Sequence, residues 1–320
     1  MQPDQPAFAS SADLGEKTIS FDEIGKGVFA YTAEGDPNTG VVVGDESVLV
    51  FDAQATPKMA QTVIDRVRSV TDKPISHVVL SHYHAVRVLG APAYGAREIL
   101  CSDAAREMIV ERGEQDKASE IGRFPRLFQG AESIRPGLTW PTLSFTQCAS
   151  IWLGKREVRL LQIGRGHTAG DIIAWIPDTQ VCFAGDLVEY GATPYCGDAH
   201  FGDWPTTLDR LAAFGAAAMV PGRGAALTTQ AMVADGIGGT RAFLSDLFEA
   251  VKRNAAAGHS LRETFARVHA ALKPAYGDWV IFEHCLPFNV SRAYDEAKGL
   301  DHPRIWTDER DRQMWMELRG

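Results

Sequence analysis

A chain of 320 residues, 45% hydrophobic and 23% charged, has room for one large or two ordinary domains around a substantial core, and its composition excludes wholesale disorder. Its formal charge of −9 removes the basic surface of a general nucleic-acid binder. No apolar run approaches the ~18 residues of a membrane span, and the opening Met1-Gln2-Pro3-Asp4-Gln5-Pro6 has neither the basic segment nor the apolar stretch of a secretion signal. The expected setting is therefore the cytoplasm, with a small molecule rather than nucleic acid or membrane as partner. Five cysteines, Cys101, Cys148, Cys182, Cys196 and Cys285, are odd in number and scattered without a Cys-x-x-Cys, which argues against a disulfide framework and against a structural zinc-cysteine site.

In chain order, residues 1 to 18 are polar and aperiodic and read as a loose arm. Runs of β-branched and aromatic residues at 21 to 31, 39 to 44 and 47 to 51, split by Gly-Asp-Pro-Asn and Gly-Asp-Glu turns, predict an antiparallel meander. Residues 58 to 70 place Met59, Val63, Ile64 and Val67 at helical spacing and break at Thr71-Asp72-Lys73-Pro74, ahead of a strand at 75 to 80. A short helix at 91 to 97, a strand at 98 to 101 and a helix at 102 to 112 capped by Ser102 or Asp103 follow. The charged stretch from 114 to 137, broken by Pro125, Gly130 and Pro136, reads as a connection with some helix, of the length that often borders a site.

A second β-rich block places strands at 143 to 147, 151 to 153, 158 to 163, 171 to 176 and 181 to 184, with hairpin turns at Leu153-Gly154-Lys155 and Pro177-Asp178-Thr179-Gln180. A helix at 206 to 214 and a short strand at 217 to 221 close it. Sheet followed by helices thus occurs twice, which predicts two similar halves packed face to face. From residue 228 the pattern is helical, at 230 to 237, 241 to 257 and 261 to 272, the last with Ser260 and Glu263 spaced as a capping box. After an aromatic stretch at 279 to 299, the charged tail from 301 to 320 carries Trp306 and Trp315. Two indoles are hard to leave wet, so the body or a partner chain in a homodimer is expected to cover them.

Chemistry gathers at strand ends. Ser81-His82-Tyr83-His84-Ala85-Val86-Arg87 follows the apolar run 74 to 80, so a strand ends in two imidazoles two residues apart, a spacing that aims two nitrogens at one ion. Gly164-Arg165-Gly166-His167-Thr168 presents a third imidazole in a glycine-flanked turn, where backbone can fold close to an ion. Ala184-Gly185-Asp186 ends another strand with a carboxylate, and Pro221-Gly222-Arg223-Gly224 ends a third. A lone His pair would be a weak signal; four such strand ends in one order are a strong one.

In that order the stretches resemble the metallo-β-lactamase fold superfamily of metallo-hydrolases, whose pattern is His-x-His-x-Asp-His, a later Gly-His-Thr, a Gly-Asp at a strand end and Pro-Gly-His-Gly. The resemblance covers about residues 21 to 226. It implies an α/β (α+β) fold, a four-layer αββα sandwich with a helical C-terminal extension, and three parts: an arm at 1–18, the αββα domain at 19–226 and the extension at 227–320 packed on it. It further implies that His82, His84 and His167 are the imidazoles of the first metal site and Asp186 the carboxylate that bridges two metals. At the second site Val86 stands where the family has Asp, and Arg87 and Arg223 where it has His, so one metal is expected rather than two.

Two guanidiniums, charged at any working pH, restore positive charge where a second cation would sit. Arg87 and Arg223 then pair with Asp186 or grip an anionic substrate; in the plainer alternative Arg87 faces solvent and Arg223 fills space. Three imidazoles with an open position are the ligand set of a catalytic zinc, and the same ligand types with a carboxylate suit ferrous iron. The expectation is a hydrolase with one divalent ion, zinc ahead of iron, acting on a small anionic ester, thioester or amide, with Asp186, Arg87, Arg223 and Tyr83 as catalytic residues. An iron-dependent oxygenase on the same ligands, resembling the superfamily's sulfur dioxygenases, and a metal-free scaffold holding a small anion are the competing readings. Among lesser candidates, Asp52 is the strand-end acid expected to orient a ligand His, Tyr83 either donates to substrate or packs, and His77 is a core group or one that supports a ligand from behind. Either cleft-facing or ordinary is His284, Glu189 and Tyr190 are placed at the cleft mouth, and Cys196 and His200 belong to a glycine-rich loop, residues 195 to 204, that covers the site.

Overall fold

Alternating β-branched and aromatic residues form the expected meander, β1 (Ser20–Gly25), β2 (Val28–Thr32), β3 (Thr39–Val43) and β4 (Val48–Phe51), in a computed structural model that describes residues 8–134 and 137–319. Residues 1–7 of the expected arm, Arg135 and Pro136 of the expected connection, and Gly320 of the tail lie outside the described residues. Helix α1 (Pro57–Arg68) starts with proline at its first position, and the Thr56 side chain accepts from Met59 N; its buried face is Ala60, Val63 and Val67. It returns the chain to β5 (Ile75–Val79), parallel to β4, and β6 (Glu98–Ser102) lies parallel to β5. Between them, α2 (Ala85–Val88) is a single turn directly after His84.

Helix α3 (Asp103–Arg123) departs from the expected connection: the helix does not stop at 112 but continues to Arg123. Its buried face includes Arg112, Asp116, Glu120 and Arg123, so charges sit where an apolar stripe would announce a helix. Strand β7 (Leu143–Phe145) also departs from expectation. Rather than opening the second block it pairs in parallel with β6 and completes a seven-stranded sheet in sequence order, because the α3 crossover lays the chain along the open edge of β6.

The second sheet has five strands in the order β12 (Ala218–Pro221), β11 (Val181–Gly185), β10 (Ile173–Ile176), β9 (Arg156–Leu161) and β8 (Cys148–Leu153). All pairs are antiparallel except β11 with β12, which α4 (Trp204–Ala212) connects. Val42, Leu49, Phe51 and Val79 of the first sheet meet Val158, Leu160, Ile176 and Phe183 of the second, each at 2% exposure or less. Burial of such a side chain contributes about 1.5–3 kcal/mol. Helices cover both outer faces, giving the αββα layering.

After residue 226 the chain is helical. Instead of two helices broken near 238 to 240, one 27-residue helix, α5 (Gln230–Ala256), runs through Gly238 and Gly239. Ile237, Thr240, Phe243, Leu244 and Leu247 keep one face buried across the break, which offsets a helix cost of about 1 kcal/mol per glycine. Next, α6 (Leu261–Tyr276) has both arms of the Ser260–Glu263 capping box, and α7 (Phe282–Ala297) and α8 (Asp308–Arg319) follow. Trp306 and Trp315 are buried at 4% and 3% exposure within this chain, with the Phe8 ring tilted against Trp315 at 5.1 Å. Among the described residues no helix is long and apolar enough to cross a membrane, and all five cysteines are free.

Candidate metal centre

The parallel pairing of β4 and β5 ends with Asp52 beside Ser81. Asp52, at φ 65°, accepts from Ser81 N (2.8 Å) and from Ser81 Oγ (2.9 Å). Ser81 Oγ has spent its proton on Asp52 and lies 2.8 Å from His82 Nδ1, so it accepts from that nitrogen and leaves His82 Nε2 bare. His167 Nδ1 lies 2.7 Å from the carbonyl oxygen of Tyr195, which only accepts, so Nε2 is the bare nitrogen there. His84 Nε2 meets the Asp198 carboxylate at 3.1 Å, which leaves Nδ1. Asp52 thus orients His82 through Ser81 rather than directly.

These three nitrogens converge within 4.8 Å, on rings with centroids 4.6–4.8 Å apart. His84 Nδ1 and His167 Nε2 are 2.9 Å apart, and His82 Nε2 is buried without a hydrogen-bond partner. Two lone pairs facing at that distance repel unless a proton or a cation stands between them. Burial keeps His167 neutral down to about 3 and holds His82 well below the ordinary imidazole range, the protonation state a metal requires. On His84 burial is opposed by the bond to Asp198, and its pKa is raised.

Asp186 enters from the end of β11. Gly185 turns at φ 53°, and a side chain on Gly222 would collide with the Asp186 carboxylate, so glycine is required there. Asp186 Oδ2 points at the imidazoles, 3.9 Å from His82 Nε2 and 3.6 Å from His167 Nε2. Its other oxygen accepts from Arg87. Burial would raise its pKa, but Arg87 and the two imidazoles hold it below the ordinary carboxylate range.

Arg87 has no solvent exposure, so the solvent-facing alternative does not hold: its guanidinium donates to Asp186 and to the carbonyls of Asn38 (3.0 Å) and Gly222 (2.8 Å). Arg223, also buried, donates to Gly35 O (3.2 Å) and brings Nε to 4.0 Å from Glu189. Glu189 is not at a mouth; at 2% exposure its two carboxylate oxygens have no hydrogen-bond partner, and burial, then the charge of Asp186, pushes its pKa well up. Arg223 borders a cavity of about 20 Å³, room for about one water. Val86, where the family has Asp, is packed in the apolar core outside the first sheet.

Tyr83 donates to Asp198 at 2.8 Å, and Arg112 donates to the other Asp198 oxygen at 2.9 Å. Sequence reasoning named neither Asp198 nor Arg112; a carboxylate in the glycine-rich loop was the one available signal for the first. That loop does lie against the centre, through Tyr195 O and Asp198. Its Cys196 is buried, and its His200 sits 3.6 Å from Asp301. Tyr190 is partly buried, with its backbone N bonded to Arg223 O. His77 bonds Ser76 on β5, and His284 packs against the rings of Phe124 and Phe288.

The family model described as the metallo-beta-lactamase superfamily matches residues 32–223. A metallo-beta-lactamase type 2 of Bacillus cereus is 24% identical over 206 residues, 61% of this chain and 71% of that protein. A linear primary-alkylsulfatase of Pseudomonas sp. (strain ATCC 19151) is 21% identical over 216 residues, 57% of this chain and 40% of that protein. Among solved structures, a metallo-beta-lactamase from Pontibacter korlensis superposes with a TM-score of 0.56 at 17% identity, over 71% of this chain and 99% of that one. A stereoselective inverting sec-alkylsulfatase from Pseudomonas sp. gives 0.68 at 14% identity, over 87% of this chain and 50% of that one, a share that takes in much of the helical section after residue 226. On the strand-end motifs, the αββα layers and these matches together, the chain belongs to the metallo-β-lactamase superfamily.

Proposed function

We propose that this protein is a hydrolase working with one divalent ion, zinc, held by His82 Nε2, His84 Nδ1 and His167 Nε2, and acting on a small anionic ester, thioester or amide. The observation that supports it is the convergence of three buried imidazole nitrogens, His82 Nε2 without a partner and His84 Nδ1 facing His167 Nε2 at 2.9 Å, each ring held by an acceptor at its other nitrogen. Zinc in such a ligand set supplies a Lewis acid and brings the pKa of a bound water to ~7. Asp186 has one oxygen committed to Arg87 and the other turned to the imidazoles, so it serves as fourth ligand or as the acceptor that orients the attacking water. Arg87 keeps that carboxylate ionised, and with Arg223 supplies fixed positive charge where negative charge develops on the substrate. Likeness to two alkylsulfatases, proteins named for an anionic ester, supports an anionic substrate. The centre is enclosed, with His82 and His167 at 0% exposure, so turnover requires the structure around it to open.

Metal analysis of the chain purified without added metal tests this. About one zinc per chain is expected, lost in His82→Ala and in His167→Ala. Iron in its place moves the reading to oxygenase chemistry, and a chain that stays empty under excess zinc overturns both. Loaded protein is then assayed against aryl sulfates, thioesters, lactones and anilides.

A further inference from the structure

Asp198 is a buried carboxylate, 1% exposed, on which three donors converge. One oxygen takes both His84 Nε2 (3.1 Å) and the Tyr83 hydroxyl (2.8 Å), and the other takes Arg112 (2.9 Å). The segment that carries it is held from outside by the C-terminal helices and tail. Asn289 of α7 accepts from Cys196 N (2.7 Å) and donates to Pro194 O (2.8 Å), and Arg292 of the same helix donates to Ala199 O (2.7 Å). From the tail, the Trp306 indole donates to Gly197 O (2.9 Å). This one segment also supplies Tyr195 O to His167, so two of the three imidazoles take their orientation from a loop that residues beyond 226 pin in place.

We propose that Asp198 is the positioning residue of His84, held by Tyr83 and Arg112 so that Nε2 keeps the proton and Nδ1 faces the ion, and that the C-terminal helical section is part of the metal centre's support. The inference rests on the metal reading above. An imidazole bonded to a carboxylate at one nitrogen has a fixed tautomer and ring angle and is a stronger ligand at the other, and loss of such a partner typically weakens metal binding by about 10–100-fold. Asparagine cannot replace this carboxylate. Donors approach both oxygens, so whichever way an amide turns, its NH2 group faces a donor.

The test is a titration of the full-length, metal-stripped chain with cobalt(II), read by its visible ligand-field absorption, for wild type, Asp198→Asn and Tyr83→Phe. Asp198→Asn is expected to weaken cobalt binding by roughly 10–100-fold and to shift the visible bands; Tyr83→Phe should shift them in the same direction by less. A purely structural role would lower the thermal midpoint of the metal-free chain and leave the bands of the loaded one in place. Wild-type affinity and bands in Asp198→Asn overturn the inference. Should that variant not fold, Tyr83→Phe decides, with a band shift supporting the inference and unchanged bands overturning it. A wild-type chain that takes up no cobalt overturns the metal reading and this inference with it, whereas unperturbed variants beside a metal-binding wild type overturn this inference alone.

Discussion

Arg87 donates to Asp186 from a guanidinium with no solvent exposure, and that guanidinium also meets the carbonyls of Asn38 and Gly222. The pair lies beside the imidazoles, with Asp186 Oδ2 3.9 Å from His82 Nε2 and 3.6 Å from His167 Nε2, and the guanidinium balances the carboxylate's charge. Removing one partner of a buried ion pair strands the other, at a cost of about 3–5 kcal/mol. Arg87→Met should therefore lower unfolding stability by roughly that amount. Arg87→Lys, which keeps the charge but cannot fork onto three acceptors, should lose less. Urea denaturation near neutral pH measures both, and a wild-type midpoint in Arg87→Met would show that Asp186 has another counter-charge.

If arginines occupy the second metal position, restoring ligands should restore the ion. The triple variant Val86→Asp, Arg87→His, Arg223→His removes both guanidiniums and returns the three family ligand types around Asp186. Zinc content is expected to rise from about one toward two per chain, the number of sites a two-metal cleft holds. Unchanged stoichiometry in a folded triple variant would mean that the cleft is not built on the two-metal plan.

His82, His84 and Asp186 were legible in the sequence because they follow apolar strands, whose ends are where a fold gathers distant residues, and His167 because glycines flank its turn. Of what holds them, Asp52 was legible, though it acts on His82 through Ser81; the rest was not. Asp198 contacts His84 across 114 residues and Arg112 across 86, from a loop with no periodicity to place it. Arg87 could be assigned a charge but not its acceptors, two of which are backbone carbonyls 49 and 135 residues away. Helix α3 was cut short because Arg112, Asp116, Glu120 and Arg123 put charge on its buried face, and the partners of Arg112 and Asp116, Asp198 and Ala85 N, meet them only in the folded chain. Glu189 was expected at a cleft mouth because it lies just beyond Asp186 in the sequence. Thr240 fixes its backbone at both N and O, 3.1 Å each, and keeps it inside.

Asp171 gives a pH dependence with a definite sign. Its carboxyl accepts from Thr168 N (2.8 Å) and Thr168 Oγ (2.6 Å), yet burial, with a smaller push from the charge of Asp186, raises its pKa to about 7. A carboxyl raised in the folded chain holds a proton that the unfolded chain has released. Its contribution to stability is complete below the ordinary value of about 3.9 and is lost as pH rises through about 7. Wild type should lose on the order of a few kcal/mol more than Asp171→Asn over that interval, because the amide does not ionise. Unfolding free energies of both proteins at half-unit pH steps measure it, and parallel profiles would mean that Asp171 titrates alike in both states.

Arg126 ties the N-terminal arm to the wall of the cavity that Arg223 borders. It donates to the Asp13 carbonyl (3.2 Å) and side chain (3.3 Å), and to Asp36 (2.8 Å) on the turn between β2 and β3. The guanidinium is 15% exposed, so these bonds are partly screened and their loss should cost about 1 kcal/mol of global stability. Locally the effect should be larger, because residues 8 to 17 hold few other polar contacts to the body and sit over both the small cavity and an adjoining groove of about 320 Å³ that shares Asp36 and Arg126 as walls. In Arg126→Ala, amide exchange should quicken at residues 8 to 17 and around Asp36 while β5 and β11 stay protected, the pattern of a local opening. Hydrogen exchange read by mass spectrometry resolves these segments. Exchange rising evenly through both sheets would instead place Arg126 in the global fold, and no change at the arm would show that Phe8 packed on Trp315 anchors it unaided.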